Sequence, residues 1–377
     1  MPHYSISNTQ DVTGLSLTAA RGGEKVKIAL KGFYTSNEAI FFDAASHLYD
    51  IFLGAFVQLE QCNRFLILRH EDKSADIYIN DFETLANMMS KRKIDAGQLV
   101  RKEDIVDIKS IEFPSIVISK TDAIIFCMRF GWKFGLYFNF MANPVRNKDK
   151  ITELDLAQIN SDLAYVYRFL LFEKVYEIMK NDSVYPRMLS DGWFPFIELI
   201  EQDYNELSAL YSNGWLDQID DFPDRFDKSR IGNMTKSWYA KKQFNDKLDL
   251  IEAGISAFLE GSQSGYINSI NTLYPQIEGI MGYEFYKEFG RKPNFKELKE
   301  YIHHKAERRF PDKASLGFPD YFYRYLEKNI FQDFDLTTGK IDLSRHSLTH
   351  GYAKPEDFTK AKATQALLVL NQLFFYL

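Results

Sequence analysis

At about residue 150 the hydrophobic pattern of this chain changes period, and that change limits the architectures open to it. Before it, "RFLILRH" from Arg64 and "ADIYIND" from Ala75 run or alternate apolar over strand length. They flank the polar turn "EDKS", which predicts a β-hairpin. "SIVISK" from Ser115 and "AIIFCMRFGWKFGLYFNF" from Ala123 predict further strands rich in Ile, Val and Phe, punctuated by Gly131 and Gly135. One segment of this half is helical in spacing, with apolar residues at Ile40, Phe41, Ala44, Ala45, Leu48, Ile51 and Phe52.

From about Glu153 the period becomes that of helices, with a stripe through Leu156, Ile159, Leu163, Val166 and Leu170. Residues 181–227 carry 11 Asp or Glu against 2 Arg or Lys, and Pro186, Pro195 and Pro223 interrupt any long helix, so a solvated connector or helical spacer is expected there, with an acidic binding surface as the alternative. Residues 236–377 read as four or five helices, with Pro355, Glu356 and Asp357 as a helix start. The expected fold is α+β: an N-terminal mixed domain over 1–150, a helical, acidic connector over 151–235, and an all-α bundle over 236–377.

Composition narrows the functional classes. Apolar residues at 45% and aromatics at 15% belong to a globular chain with an ample core. A formal charge of −6 argues against a broad electrostatic grip on nucleic acid, so any such site is local; 236–377, with 20 basic and 18 acidic residues, is the least acidic place for it. Two cysteines, Cys62 and Cys127, are too few for a disulfide framework and lack zinc-type pairing, which suits a reducing, cytoplasmic setting. The polar N-terminus does not read as a secretory signal, and Arg129 and Lys133 break the most apolar run, so no membrane segment is expected.

Common reaction signatures are absent. There is neither a G-x-x-x-x-G-K-[ST] phosphate loop nor a G-x-G-x-x-G turn, and "EGSQSGY" places Gln263 between its glycines where a nucleophile elbow needs serine. His70, in "RHEDKSAD", has no second histidine at helical spacing and reads as part of a solvated turn. In "YIHHKAERRF", His303 and His304 stand beside Lys305, Arg308 and Arg309; the plain reading is a helix end whose cations complement its dipole, and contact with RNA phosphates is the sharper one.

The densest cluster is "SRHSLTHGY", 344–352, with Arg345, His346 and His350 ahead of Gly351. A histidine titrating near neutrality can exchange a proton with a ribose 2′-hydroxyl or a leaving oxygen, and the guanidinium fork of arginine matches phosphate oxygens. Five residues apart, Arg345 and His350 project about 140° from one another on a helix. A single regular helix therefore does not aim both at one atom; the two converge if the helix is short and irregular, if their long side chains bend round, or if a second copy of the motif faces the first across a dimer axis. The plainer alternative is a helix C-terminus bearing cations.

This cluster resembles the HEPN family, whose mark is R-x(4 to 6)-H in a small helical bundle. Arg345 and His350 stand at its two positions, with polar His346 after the arginine and Gly351 after the histidine. "INTLYPQIEGIMG" (270–282), including Glu278, is similar to the upstream helix of abortive-infection-like bacterial members, and "ATQALLVLNQLFFYL" to their last helix. The likeness covers about 140 residues at the C-terminal end.

The resemblance implies a metal-independent endoribonuclease without a cofactor, working as a homodimer whose cleft gathers both motifs, in phage defence or toxin–antitoxin biology. Arg345 would hold the scissile phosphate and His350 assist proton transfer, with His346 and Glu278 in support. RNA is the implied substrate and a neutralising or sensor protein a further partner. HEPN members also occur as non-catalytic RNA-binding or protein-interaction modules that keep the fold as a dimerisation platform, so that alternative stays open.

Overall fold

In the computed structural model the described residues are 3–12, 14–54, 56–57, 61–142, 152–312, 314–332, 344, 347–348 and 350–377. The strands are β1 (His3–Ile6), β2 (Leu15–Ser16), β3 (Ile28–Ala29), β4 (Lys31–Thr35), β5 (Arg64–Arg69), β6 (Ala75–Ile79), β7 (Leu85–Ser90), β8 (Ile105–Glu112), β9 (Ala123–Phe130) and β10 (Lys133–Asn139). The helices are α1 (Ala39–Phe52), α2 (Leu156–Lys180), α3 (Tyr185–Ser190), α4 (Gln202–Asn213), α5 (Lys228–Thr235), α6 (Lys242–Asn245), α7 (Leu248–Leu259), α8 (Gln263–Phe289), α9 (Phe295–Arg309), α10 (Pro319–Tyr325) and α11 (Lys360–Tyr376). The fold is thus mixed, an antiparallel sheet followed by helices.

The chain divides into two compact units, 1–89 with 107–173, and 90–106 with 174–377. The last of the three divisions falls inside α2, one residue beyond Phe172, whose backbone leaves the helical region at φ −119°, ψ 24°.

In the first unit a six-stranded antiparallel sheet has the order β1-β6-β5-β9-β10-β4. The expected hairpin is present: Phe65 pairs with Ile79 and Arg69 with Ala75 across the turn. The long apolar run from Ala123 is two strands folded at Gly131 and Trp132, with Phe130 opposite Lys133. Phe65, Ile67, Ile125, Cys127, Leu136 and Phe138 share a core with Phe41, Ala44, Leu48 and Phe52 of α1. The opposite face meets the first part of α2: Phe33 packs edge-on against Tyr165, and Tyr137 donates to Asp162 at 3.0 Å. Because both faces are covered, the central strands are apolar at successive positions rather than alternating.

Helix and sheet approach closely at Gly135. A Cβ there would stand 2.8 Å from Val166 Cγ1 and 2.9 Å from Leu170 Cδ1. "SIVISK" is not a strand. It follows Pro114, and Asp122 accepts from the Ser119 amide at 2.7 Å, a local turn that takes the place of ladder pairing. Cys62 and Cys127 are both free and buried, and burial pushes the Cys62 thiol up to about 11.

In the second unit α11 is buried on every side from Ala363 to Leu373. A helix so placed must satisfy its polar side chains internally. The Gln372 side chain accepts from the Ile197 amide at 2.9 Å and donates to the Gly317 carbonyl at 3.3 Å. Asn371 accepts from the Trp238 indole at 2.9 Å, and Gln365 donates to the Asp191 carbonyl at 2.8 Å.

The acidic stretch is helical, as expected, but it is not a mere solvated spacer. Trp193, Phe194, Phe196, Ile197, Tyr204 and Leu207 are all essentially buried, so this segment supplies core while its carboxylates stay outside. Pro355–Asp357 is a 3₁₀ turn, and α11 starts at Lys360 because the Thr359 hydroxyl accepts from the Lys362 amide at 3.2 Å. Among the described residues no helix is long and apolar enough to cross a membrane.

Candidate functional site

The segment bearing the expected cluster is fixed at both ends. At its start, the Ser344 amide donates to Ser347 Oγ at 2.9 Å and the Ser347 amide donates to Ser344 Oγ at 3.2 Å. This reciprocal pair satisfies two amides that a helix start leaves open. At its end, Gly351 adopts φ +72°, the Tyr352 amide donates to the Ser347 carbonyl at 2.9 Å, and the Gly351 amide donates to that of Leu348 at 3.2 Å. These two bonds form a Schellman termination, for which glycine is suited because it enters the left-handed region without a Cβ penalty.

Ser344 and Ser347 are buried while His350 is exposed, so the turn is anchored through its serines. The stop expected at Gly351 is therefore present. Arg345 and His346 lie outside the described residues.

Glu278 lies in the middle of α8, half-buried. It lines a groove of about 490 Å³ with Pro275, Gly282, Tyr286, Lys292 and Phe295. Lys292 is the one cation among these residues and Glu278 the one acid, so the groove is otherwise apolar or neutral.

The histidines of "YIHHKAERRF" lie in α9, whose last turn carries Arg308 and Arg309 as the plain reading expects. His303 Nε2 meets Asp320 Oδ1 at 2.7 Å, and His304 Nδ1 meets Glu307 Oε2 at 3.2 Å. Lys305 pairs with Glu288 at 2.8 Å, with Arg308 3.9 Å from the same carboxylate. Local acids thus neutralise much of the basic helix end read from the sequence.

A second cleft, about 480 Å³, was not legible in the sequence. Within the second unit it joins Lys91, Arg92 and Asp104 to Glu198, Arg225 and Arg230, residues more than 90 positions apart. Arg92 clasps Asp104 through two nitrogens, at 2.6 and 2.9 Å. Arg230 reaches Glu198 at 3.2 Å and Asp203 at 2.6 Å, and Arg225 bridges Asp203 and Glu206. Lys91 donates to the Ile200 carbonyl at 3.1 Å; burial pushes its ammonium below the usual lysine range, with Glu198 opposing and Arg230 reinforcing the shift. Each of these arginines is matched by carboxylates, so the cleft is a balanced ionic network rather than a cationic groove for a polyanion.

No family model matches the chain, and neither a curated protein nor a solved structure does.

Proposed function

We propose that this chain is a metal-independent endoribonuclease of HEPN type. The observation that carries the reading is the doubly capped turn, which bears the exposed His350 in a helical unit ending in the buried helix α11. His350 exchanges a proton with the ribose 2′-hydroxyl or the leaving 5′ oxygen. Arg345 neutralises charge developing on the phosphate, where its planar fork matches the oxygens.

Attack by the 2′ oxygen leaves a 2′,3′-cyclic phosphate and a 5′-hydroxyl, and it cannot occur on DNA. The angular separation of Arg345 and His350 favours a site completed by a second copy of the chain. Glu278 and His346 act as supporting groups in this reading, and a role in phage defence or as a neutralised toxin fits a nuclease of this kind.

The test offers purified protein, in EDTA, an RNA oligonucleotide and the same oligonucleotide with one 2′-deoxyribose at the preferred cut. Cleavage of the first and sparing of the second at that position is expected. Equal cleavage of both contradicts the chemistry.

A second reading, a non-catalytic RNA-binding or protein-interaction module, is favoured by the exposed rings of Tyr286, Phe289 and Phe295 on α8 and α9, the kind of apolar surface that partners cover. RNA or partner binding without cleavage, unchanged by His350→Ala, would support it instead.

A further inference from the structure

One cluster in the second unit has donor chemistry that the proposed nuclease does not use. His303, His304 and Glu307 each offer one ligand atom, and these atoms lie within 4.8 Å of one another. His303 Nδ1 is 3.6 Å and His304 Nδ1 3.2 Å from Glu307 Oε2. In a zinc site with bonds of about 2.1 Å, tetrahedrally disposed donors stand roughly 3.4 Å apart, so the two histidine–carboxylate separations already match, and the two imidazole nitrogens lie within 4.8 Å of one another. The spacing follows from the helix, since residues three and four apart share a face and both imidazoles converge on one carboxylate.

The other nitrogen of His303 gives an independent observation. Nε2 lies 2.7 Å from Asp320 Oδ1, contributed by α10. With carboxylate oxygens close to both of its ring nitrogens, His303 needs a positive centre on the Glu307 side, which either a second ring proton or a metal ion at Nδ1 supplies. Carboxylate, histidine and metal in this order is the arrangement by which proteins fix a ligating ring. Tyr323 packs against the same ring, with centroids 5.5 Å apart. Neighbouring cations are directed elsewhere: Lys305 pairs with Glu288, and Lys299 with Glu327 at 2.8 Å.

We propose that His303, His304 and Glu307 bind a divalent transition metal ion of the zinc class, with Asp320 as the positioning residue of His303 and water completing the shell. Two imidazoles and a carboxylate suit zinc, nickel or copper better than magnesium or calcium. Such an ion would tie α9 to α10 through Asp320, apart from the nuclease chemistry, which needs no metal.

Chelator-stripped full-length protein titrated with Zn²⁺ by calorimetry is expected to show a site weakened at least tenfold in His303→Ala and in Glu307→Gln. Asp320→Asn should weaken it by about tenfold, since it removes only the outer carboxylate. Co²⁺ should give visible absorption in the wild type that His303→Ala abolishes. Circular dichroism identifies any variant that fails to fold, and His304→Ala, at the most exposed of the three ligands, then serves in its place. Equal Zn²⁺ affinity of the wild type and the His303→Ala/His304→Ala chain would overturn the proposal; those contacts would then be ion pairs of imidazolium with carboxylate.

Discussion

His70 is held between Asp122 at 2.9 Å and Asp76 at 3.2 Å. Burial alone would lower its pKa, but the two carboxylates outweigh it and the net shift is upward. A group whose folded pKa is raised contributes stability that is complete below its unfolded value, about 6.5, and that disappears as pH rises through the folded value. The first unit is therefore expected to lose stability above about pH 6.5, and His70→Gln should flatten that slope; denaturant melts at several pH values measure it. Asp76 works in the opposite sense, since its lowered pKa means that its contribution is lost in acid. The expected solvated turn was right about the hairpin and wrong about the histidine, because Asp122 arrives from 52 residues away and leaves no local trace.

Elsewhere in this unit Arg168 and Asp107 are each 1% exposed and stand 3.7 Å apart, with Arg168 also donating to the Ile108 carbonyl. Removing one member strands a buried charge, so Asp107→Ala should cost about 3 kcal/mol or more in a denaturant melt.

Among the elements, β5 with β6, β9 with β10, and α1 could be read from the chain because their signals are local: a polar or glycine turn between apolar runs, or a single helical stripe. "SIVISK" misled because strand propensity is only a fit to a half-buried surface, and a side-chain turn at Asp122 competes successfully for its backbone. Gly135 follows a similar logic, since nothing in the sequence shows that α2 crosses there. Gly135→Ala is expected to destabilise the first unit by about 1–3 kcal/mol, because Val166 and Leu170 must move to admit a methyl group. In α11, Gln372→Leu should cost about 1–3 kcal/mol by leaving the buried Ile197 amide without its acceptor. Hydrogen exchange at Ile197 provides the reading, with protection expected to fall. The C-terminal helix was recognisable by its length and apolar content, but the loops it holds through Gln365, Asn371 and Gln372 were not, since those partners lie more than 50 residues distant.

At the scale of the molecule, the change of period near residue 150 marks where strands give way to helices, while the last division between the units falls later, after residue 173 inside α2. Two features escaped the change of period. Residues 90–106 belong with the helices despite lying among strands, and the acidic stretch is part of the helical core. In the acidic stretch apolar residues are interleaved with charges that stay at the surface, whereas in 90–106 Leu99 and Val100 are exposed, Asp104 is buried and Lys91 reaches the Ile200 carbonyl, so burial follows packing rather than composition.

Of the candidate site, the stop at Gly351 was legible in the sequence; the Ser344 and Ser347 pairing adds a start that marks the same turn. Whether this turn cleaves RNA, as proposed, is read from the rate at which full-length protein cuts single-stranded RNA in EDTA, compared with Arg345→Ala and His350→Ala. Loss of about a hundredfold or more in each variant, with folding intact by circular dichroism, is expected from removing a phosphate-stabilising cation or a proton-transfer group. Undiminished cleavage by both variants would contradict the account.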